Sequence, residues 1–340
     1  MYIKKCPCCH SSDVKKSGRR NNVQHYRCKS CGRQFQDRPA GPSTEIIWNE
    51  YLNAKQTIAE IASGFQISES TVKRILRRRN EQWTQPDLTG MSGFVHLDAT
   101  YWGHNWGILL GLDDITGMVI YMDFIKHETT MSYQKAVDAI TTAGYLIRGI
   151  VIDGRQELFT AFRNYPVQMC QFHMMQIVRR YLTKNPKMNA SRELLQICRP
   201  MTYRSGLDFK DDYNTWKERW KGFLNKRTTH RDGKTYYLHR KIRTLVNSID
   251  FYLPFLFTFQ LLECAGMPNT NNKIEGTFTD LKKNLNNHSG LTPEHRRQFI
   301  IAYFQERICG QLTPDNSEKD ETESDGREDG INHEEKQTAF

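Results

Sequence analysis

The sequence predicts an α/β protein: a core built on a mixed sheet, interrupted by a helical segment and preceded by two small N-terminal modules. Three observations carry that prediction. Two apolar, strand-forming runs, Phe94 to Leu97 and Ile147 to Ile152, each end in a carboxylate, Asp98 and Asp153. Around them strand-like and helix-like periods alternate as they do when helices cover a sheet. Five of the nine cysteines lie within the first 31 residues, ahead of a stretch with helical period.

A chain of 340 residues has room for two or three domains. Its net charge of +10 is unevenly placed: from Gln311 onward ten acids face three bases, so residues 1–310 carry +17. That excess suits a polyanionic partner, because each phosphate neutralised by Lys or Arg releases counterions. Neither a run of about 18 apolar residues nor a cleavable apolar leader is visible, so a soluble, cytoplasmic protein with no membrane partner is expected.

Residues 1–40 are expected to form a zinc ribbon. Cys6 and Cys9, then Cys28 and Cys31, give two Cys-x2-Cys pairs separated by eighteen residues. Two thiolates three apart on a turn grip one side of a tetrahedral Zn²⁺, and the second pair closes the other. Cys8 is left as a spacer, although a ligand set using it is an alternative. Gly32 follows the second pair as a knuckle turn prefers, whereas His10 follows the first. Between the pairs Lys15, Lys16, Arg19, Arg20 and Arg27 form a basic hairpin suited to DNA phosphates.

Residues 43–82 are expected to be helical. After a linker with Pro39, Gly41 and Pro42, a helix begins near Ser43. The following stretch, Thr57 to Leu76, has the form of a helix-turn-helix: Gly64 closes one helix in a left-handed conformation and Ser68 caps the next. Ile58, Ile61, Ala62, Ile67, Val72, Ile75 and Leu76 would be its core. Lys73 and Arg74 would face a DNA groove, with Arg77, Arg78 and Arg79 on the backbone.

Residues 91–310 make the core. Strands are expected at Gly93–Trp102, Trp106–Leu112 and Met118–Ile125, then a helix at Met131–Ala143, a strand at Ile147–Ile152, a helix near Glu157–Arg163 and a strand at Val167–Gln171. Three strands followed by alternating helices and strands is the order of a ribonuclease H-like fold, whose mixed sheet has its first strand central. Asp98 and Asp153 would stand at strand ends, where α/β sites usually lie, and Glu275 sits on a helix-like segment. A lone aspartate at a strand end is more often a cap or turn residue, so the combination carries the argument.

Several stretches together resemble a bacterial insertion-sequence transposase of the DDE type, in the Mutator-like superfamily, in its variant with an N-terminal zinc-binding domain. They are the cysteine pairs, His96-Leu97-Asp98-Ala99-Thr100, Val151-Ile152-Asp153-Gly154, Cys170-Gln171-Phe172-His173, His239-Arg240-Lys241-Ile242-Arg243, and Thr270 to Gly276 running on to Leu291. The resemblance covers residues 1 to about 308. It implies that Asp98, Asp153 and Glu275 are the catalytic triad and that Cys170 and His173 are a family signature near the site.

The gap of 122 positions from Asp153 to Glu275 exceeds what such a core needs. The resemblance implies a helical insertion there, at about residues 180–265. Helices are expected at Glu193–Cys198, Tyr213–Leu224, Tyr237–Ile249 and Leu253–Leu262, with Trp216, Trp220, Phe251, Tyr252, Phe255, Phe257 and Phe259 as core. Cys170 and His173 alone cannot make a structural zinc site. Cys198, Cys264 and Cys309 are expected to be packing residues.

Two carboxylates about 4 Å apart repel by about 1 kcal/mol in water and about 4 kcal/mol near a protein surface. Two Mg²⁺ (or Mn²⁺) ions held by Asp98, Asp153 and Glu275 would reverse that sign and suit in-line attack on phosphorus. Lys282 and Lys283, two turns beyond Glu275, would meet phosphates of the bound DNA. The acidic segment 311–340 is expected to be disordered. The function expected is a DNA transposase acting on terminal inverted repeats and target DNA, at least dimeric and at the bacterial nucleoid. A catalytically silent DNA-binding regulator derived from a transposase is the alternative, and a structure-specific nuclease a weaker third.

Overall fold

The computed structural model describes residues 4–20, 23–36, 42–54, 56–78, 81–103, 106–229, 231, 233–288 and 291–312, the last four by their backbone. Arg79 and residues 313–340 of the acidic segment therefore lie outside the described residues.

Three short strands, β1 (Val14–Arg20), β2 (Val23–Cys28) and β3 (Gln34–Gln36), form an antiparallel sheet in the order β1-β2-β3. Nearly all of β1 is exposed, so its basic side chains face solvent. Helices α1 (Thr44–Asn53), α2 (Ile58–Gly64) and α3 (Glu69–Leu76) follow. Ser43 caps α1, Thr57 and Glu60 form a capping box on α2, and Ser68 caps α3 through the Thr71 N–H. The turn between α2 and α3 departs from expectation in one respect: the left-handed residue is Gln66, with φ 52°, and not Gly64.

The core sheet has five strands: β4 (Ser92–Tyr101), β5 (Gly107–Asp113), β6 (Val119–Ile125), β7 (Leu146–Ile152) and β8 (Val167–Met169), in the order β6-β5-β4-β7-β8. β4 is central, antiparallel to β5 and parallel to β7. This is the mixed sheet with its first strand central that the element order predicted. Alternation along the strands splits two apolar layers. Val95, Leu97 and Leu109 pack toward α4 (Thr130–Thr142), α5 (Gln156–Ala161) and α6 (Gln171–Leu182), while Ile108, Leu110 and Leu112 pack toward the C-terminal helices. The last strand is shorter than expected, because Gln171 opens α6.

The segment between contains α7 (Asn189–Cys198), α8 (Gly206–Arg219), α9 (Lys221–Asn225), a hairpin of β9 (Arg227–Thr229) and β10 (Thr235–Tyr237), and α10 (Arg240–Leu256). Two expectations are corrected here. The hairpin falls where helix was expected to begin at Tyr237. One helix then runs through Pro254, with only 3₁₀ turns beyond it, where a separate helix at Leu253–Leu262 was expected. The stripe Ile242, Leu245, Val246, Ile249, Tyr252 and Leu256 stays buried along one face, which outweighs a proline cost of about 3 kcal/mol. Trp216 and Tyr252 are core as expected, and Trp220, Phe255, Phe257 and Phe259 are half-buried. Phe251, off the stripe, is exposed. Cys198 and Cys264 are buried; the side chain of Cys309 lies outside the described residues.

Two long helices, α11 (Asn272–Asn287) and α12 (Pro293–Leu312), close the fold. Ile274, Phe278 and Leu281 of α11, with Phe299, Ile300 and Tyr303 of α12, lie in one apolar cluster that also holds Ile47, Trp48, Ile61 and Val72 of α1 to α3. Ile58, Ile67, Ile75 and Leu76 are only half-buried at its margin.

Candidate active site

The register of the parallel pair sets the geometry. His96 lies opposite Val151, so two residues further Asp98 and Asp153 stand at one level on neighbouring strands, which run about 4.8 Å apart. Both are half-buried. Asp98 Oδ1 accepts the Ala99 N–H at 2.8 Å. Burial raises the Asp98 pKa to about 8, reinforced by Asp153, Glu128 and Glu275 and opposed by the Ala99 N–H. Asp153 is raised as well, first by burial and then by Glu128, with His173 and Arg155 opposing.

Glu275 arrives from α11 through a braced joint. Asn271, fully buried, donates through Nδ2 to Leu97 O at 3.4 Å, so its Oδ1 faces His96 Nδ1 at 2.7 Å. The other ring nitrogen, Nε2, lies 3.0 Å from Asp114 Oδ1, which also pairs with Lys273 at 2.9 Å. Burial favours protonated Asp114, but the hydrogen bonds from His96 and Lys273 outweigh it and hold its pKa below the usual range. One turn after Asn271, Glu275 comes within 3.6 Å of His173 Nε2.

The Cys170–His173 pair belongs to the same joint. Cys170 Sγ accepts the Asn271 N–H at 3.2 Å, and the Gln171 N–H binds Asn269 O at 2.9 Å. The cysteine thus docks the start of α11 on α6, and burial pushes its thiol up to about 11. Its role here is to pack and to accept that backbone N–H.

Glu128 is a residue that the sequence does not single out. It lies between β6 and α4, accepts from Tyr133 Oη at 2.5 Å, and pairs with Arg155 at 3.3 Å. Because β6 runs parallel to β4, its C-terminal end meets the same sheet edge as Asp98 and Asp153. That topological placement is the one sequence-level signal that could have found it. On the other side of Asp153, Tyr252 Oη of α10 donates to Gly154 O, so the insertion presses on this turn.

Several buried polar atoms at this edge have no hydrogen-bond partner: Asp153 Oδ1, Glu275 Oε1, His173 Nδ1, Arg155 Nε and Tyr101 Oη. Carboxylate oxygens free of hydrogen bonds are hard donors, of the kind that fit Mg²⁺ or Mn²⁺. The acids do not yet close on a common point. Among the described residues, the four cysteines are the one group of three or more possible ligands within 4.8 Å of one another.

That cysteine group is compact. Cys6 and Cys31 sulfurs are 3.6 Å apart and those of Cys9 and Cys28 are 3.5 Å apart. Four sulfurs about 2.3 Å from one Zn²⁺ would be separated by about 3.8 Å. Gly32 has φ 72° and His10 φ 57°, so both knuckles make the same left-handed turn, and Cys8 is exposed.

The expected DNA contacts fall on or just beyond α3 and on α11, the helix that carries Glu275. On α3, Lys73 and Arg74 are exposed, as are Arg77 and Arg78 just beyond, with Lys73 paired to Glu69 at 3.1 Å. On α11, Lys283 is exposed and Lys282 half-buried. A surface pocket of about 810 Å³ lined by Pro86, Gln134, Lys135 and Asp138 touches none of these groups.

No protein-family model matches this sequence, and no curated protein matches it. Among solved structures, the chain is similar to a Drosophila P element transposase strand transfer complex at 14% identity and TM-score 0.40, over 81% of this chain and 94% of that one. It is also similar to a simian T-cell lymphotropic virus intasome in complex with PP2A regulatory subunit B56 gamma, at 14% identity and TM-score 0.20, over 48% of this chain and 69% of that one. Both superpositions are loose, and the reading of the site rests on its own geometry.

Proposed function

We propose that the chain is a DNA transposase of the DDE type: a ribonuclease H-like core that cuts and joins DNA, targeted by a zinc ribbon and a helix-turn-helix. What supports this reading is that Asp153 and Glu275 act through space on the Asp98 carboxyl, and that Asp153 Oδ1 and Glu275 Oε1 are buried without a hydrogen-bond partner. The basic excess of residues 1–310 supports DNA as the substrate, and the resemblance of its motifs to Mutator-like transposases supports terminal inverted repeats as the sites bound.

In this reading Asp98, Asp153 and Glu275 hold two Mg²⁺ or Mn²⁺ ions, which supply charge stabilisation at the entering and leaving oxygens of the phosphodiester. The residues around them position the acids. His96, Asn271 and Cys170 fix the start of α11, so Glu275 faces the strand ends. Arg155 beside Glu128 offsets negative charge at this edge, and His173 stands beside Glu275. Lys282 and Lys283 extend the phosphate track along α11, and Lys73, Arg74 and Arg77 to Arg79 grip DNA nearer the N-terminus. Pairing two element ends calls for at least a dimer, and the place of work is the bacterial nucleoid.

The test is incubation of the purified chain with duplexes carrying its own element ends and Mg²⁺ or Mn²⁺. Asp153→Asn is expected to lose cleavage and joining by at least about a hundredfold, the usual scale for removing one charge-stabilising group, while still binding DNA. Equal cleavage by both proteins removes the site. Binding without cleavage by the wild type selects the silent regulator.

A further inference from the structure

The residues expected from the sequence to touch DNA all lie outside the segment between Asp153 and Glu275. Yet residues 226–243 carry seven Lys or Arg against one Asp. The structure gathers them on the β9–β10 hairpin and the first turn of α10. The strands pair Thr229 with Thr235 and Arg227 with Tyr237, and the Leu238 N–H closes the ladder on Lys226 O at 2.8 Å. Below them the Phe223 and His239 rings stack at 3.6 Å.

The distribution of partners separates this patch from an ordinary charged face. Elsewhere on the same segment Arg204, Lys217, Arg219 and Lys221 meet Asp212, Asp250, Glu193 and Glu218. Among the described residues no carboxylate comes within ion-pair distance of Lys226, Arg227, Arg231, Arg240, Lys241 or Arg243. Three of these guanidinium groups lean on tyrosines instead: Arg243 lies 3.6 Å from the Tyr237 ring centre, Arg227 donates to Tyr237 Oη at 3.0 Å, and Arg240 lies 5.4 Å from the Tyr236 ring. Aromatic stacking holds the side chains in place without neutralising them. Like charges crowded together repel, and a polyanion relieves that.

We propose that this hairpin and the first turn of α10 are a second duplex-DNA surface, binding phosphates of the DNA whose strand is cut. The inference rests on the DNA-acting reading above. The spacing fits it. From Arg240 to Tyr252, which touches the Asp153–Gly154 turn, α10 rises about 18 Å, the length of about five base pairs. The surface therefore meets the duplex about half a helical turn from the phosphate being attacked.

The experiment measures equilibrium binding of the full chain to a fluorescently labelled duplex of arbitrary sequence across a salt series. Wild type is compared with Lys226→Gln/Arg231→Gln/Lys241→Gln and with the charge-keeping Lys226→Arg/Arg231→Lys/Lys241→Arg. Circular dichroism melts verify that each variant folds. Each lost phosphate contact lowers the slope of log K against log salt by about 0.9, so the neutralised variant is expected to lose about two to three from that slope, and the charge-keeping variant none. An unchanged slope in the neutralised variant overturns the hairpin assignment and leaves the DNA-acting reading standing. A wild type whose binding is absent or indifferent to salt overturns both.

Discussion

Asp98 is where folding and the proposed chemistry pull in opposite directions. Its folded pKa near 8, set by burial and then by Asp153, Glu128 and Glu275, lies above the usual aspartate value near 3.9. The folded protein thus keeps a proton that the unfolded chain releases, and stability contributed by this group falls as pH rises from about 4 to about 8. Every tenfold difference in proton affinity between the two states is worth about 1.4 kcal/mol. Asp98→Asn is therefore expected to melt higher than wild type at pH 8 without divalent cation and to converge with it near pH 4, while Mg²⁺ raises the melting temperature of wild type alone. A variant that melts lower than wild type at pH 8 contradicts this. Asp98 and Asp153 were legible because apolar runs announce strands, and carboxylates at their ends stand out. Glu275 was legible only within a longer motif. Glu128 was not, because nothing local marks a glutamate in a polar loop until the strand order brings that loop to the same edge.

At the scale of elements, the joint between α1 and the two closing helices has its own pH signature. His288, just after α11, is buried, with its ring 4.0 Å from Tyr51 and 5.0 Å from Phe299 and both nitrogens unpartnered. Burial lowers its pKa to about 4, with the Tyr51 backbone opposing. An unfolded histidine titrates near 6.5, so this group withdraws stability as pH falls from about 6.5 to about 4. His288→Phe should flatten the loss of melting temperature between pH 6.5 and 4.5; a slope equal to that of wild type would sink the assignment. Long amphipathic elements such as α4 and α10 were readable from their periods. The β9–β10 hairpin was not, since strands of three polar or aromatic residues show no alternation, and Pro254 misplaced a boundary that burial of Tyr252 and Leu256 overrode.

Across the whole molecule, the first sheet stands apart from the rest. Among the described residues none of β1 to β3 enters the three apolar clusters, and the four clustered cysteines are the group that a Zn²⁺ would use to fasten it. A strong chelator is expected to expose residues 4–36 to protease and abolish a thiolate-to-metal absorption band in the Co²⁺-substituted protein, leaving the main melting transition in place. Loss of that transition on chelation would show that the ribbon supports the core. The three helices behave in the opposite way. Ile47, Trp48 and Val72 share one apolar cluster with Ile274, the residue before Glu275. Packing of this kind couples the three helices directly to the helix that carries Glu275. If α3 grips the element end, the number of base pairs between grip and cut is fixed by packing, and the protein measures its substrate like a ruler as well as recognising its letters.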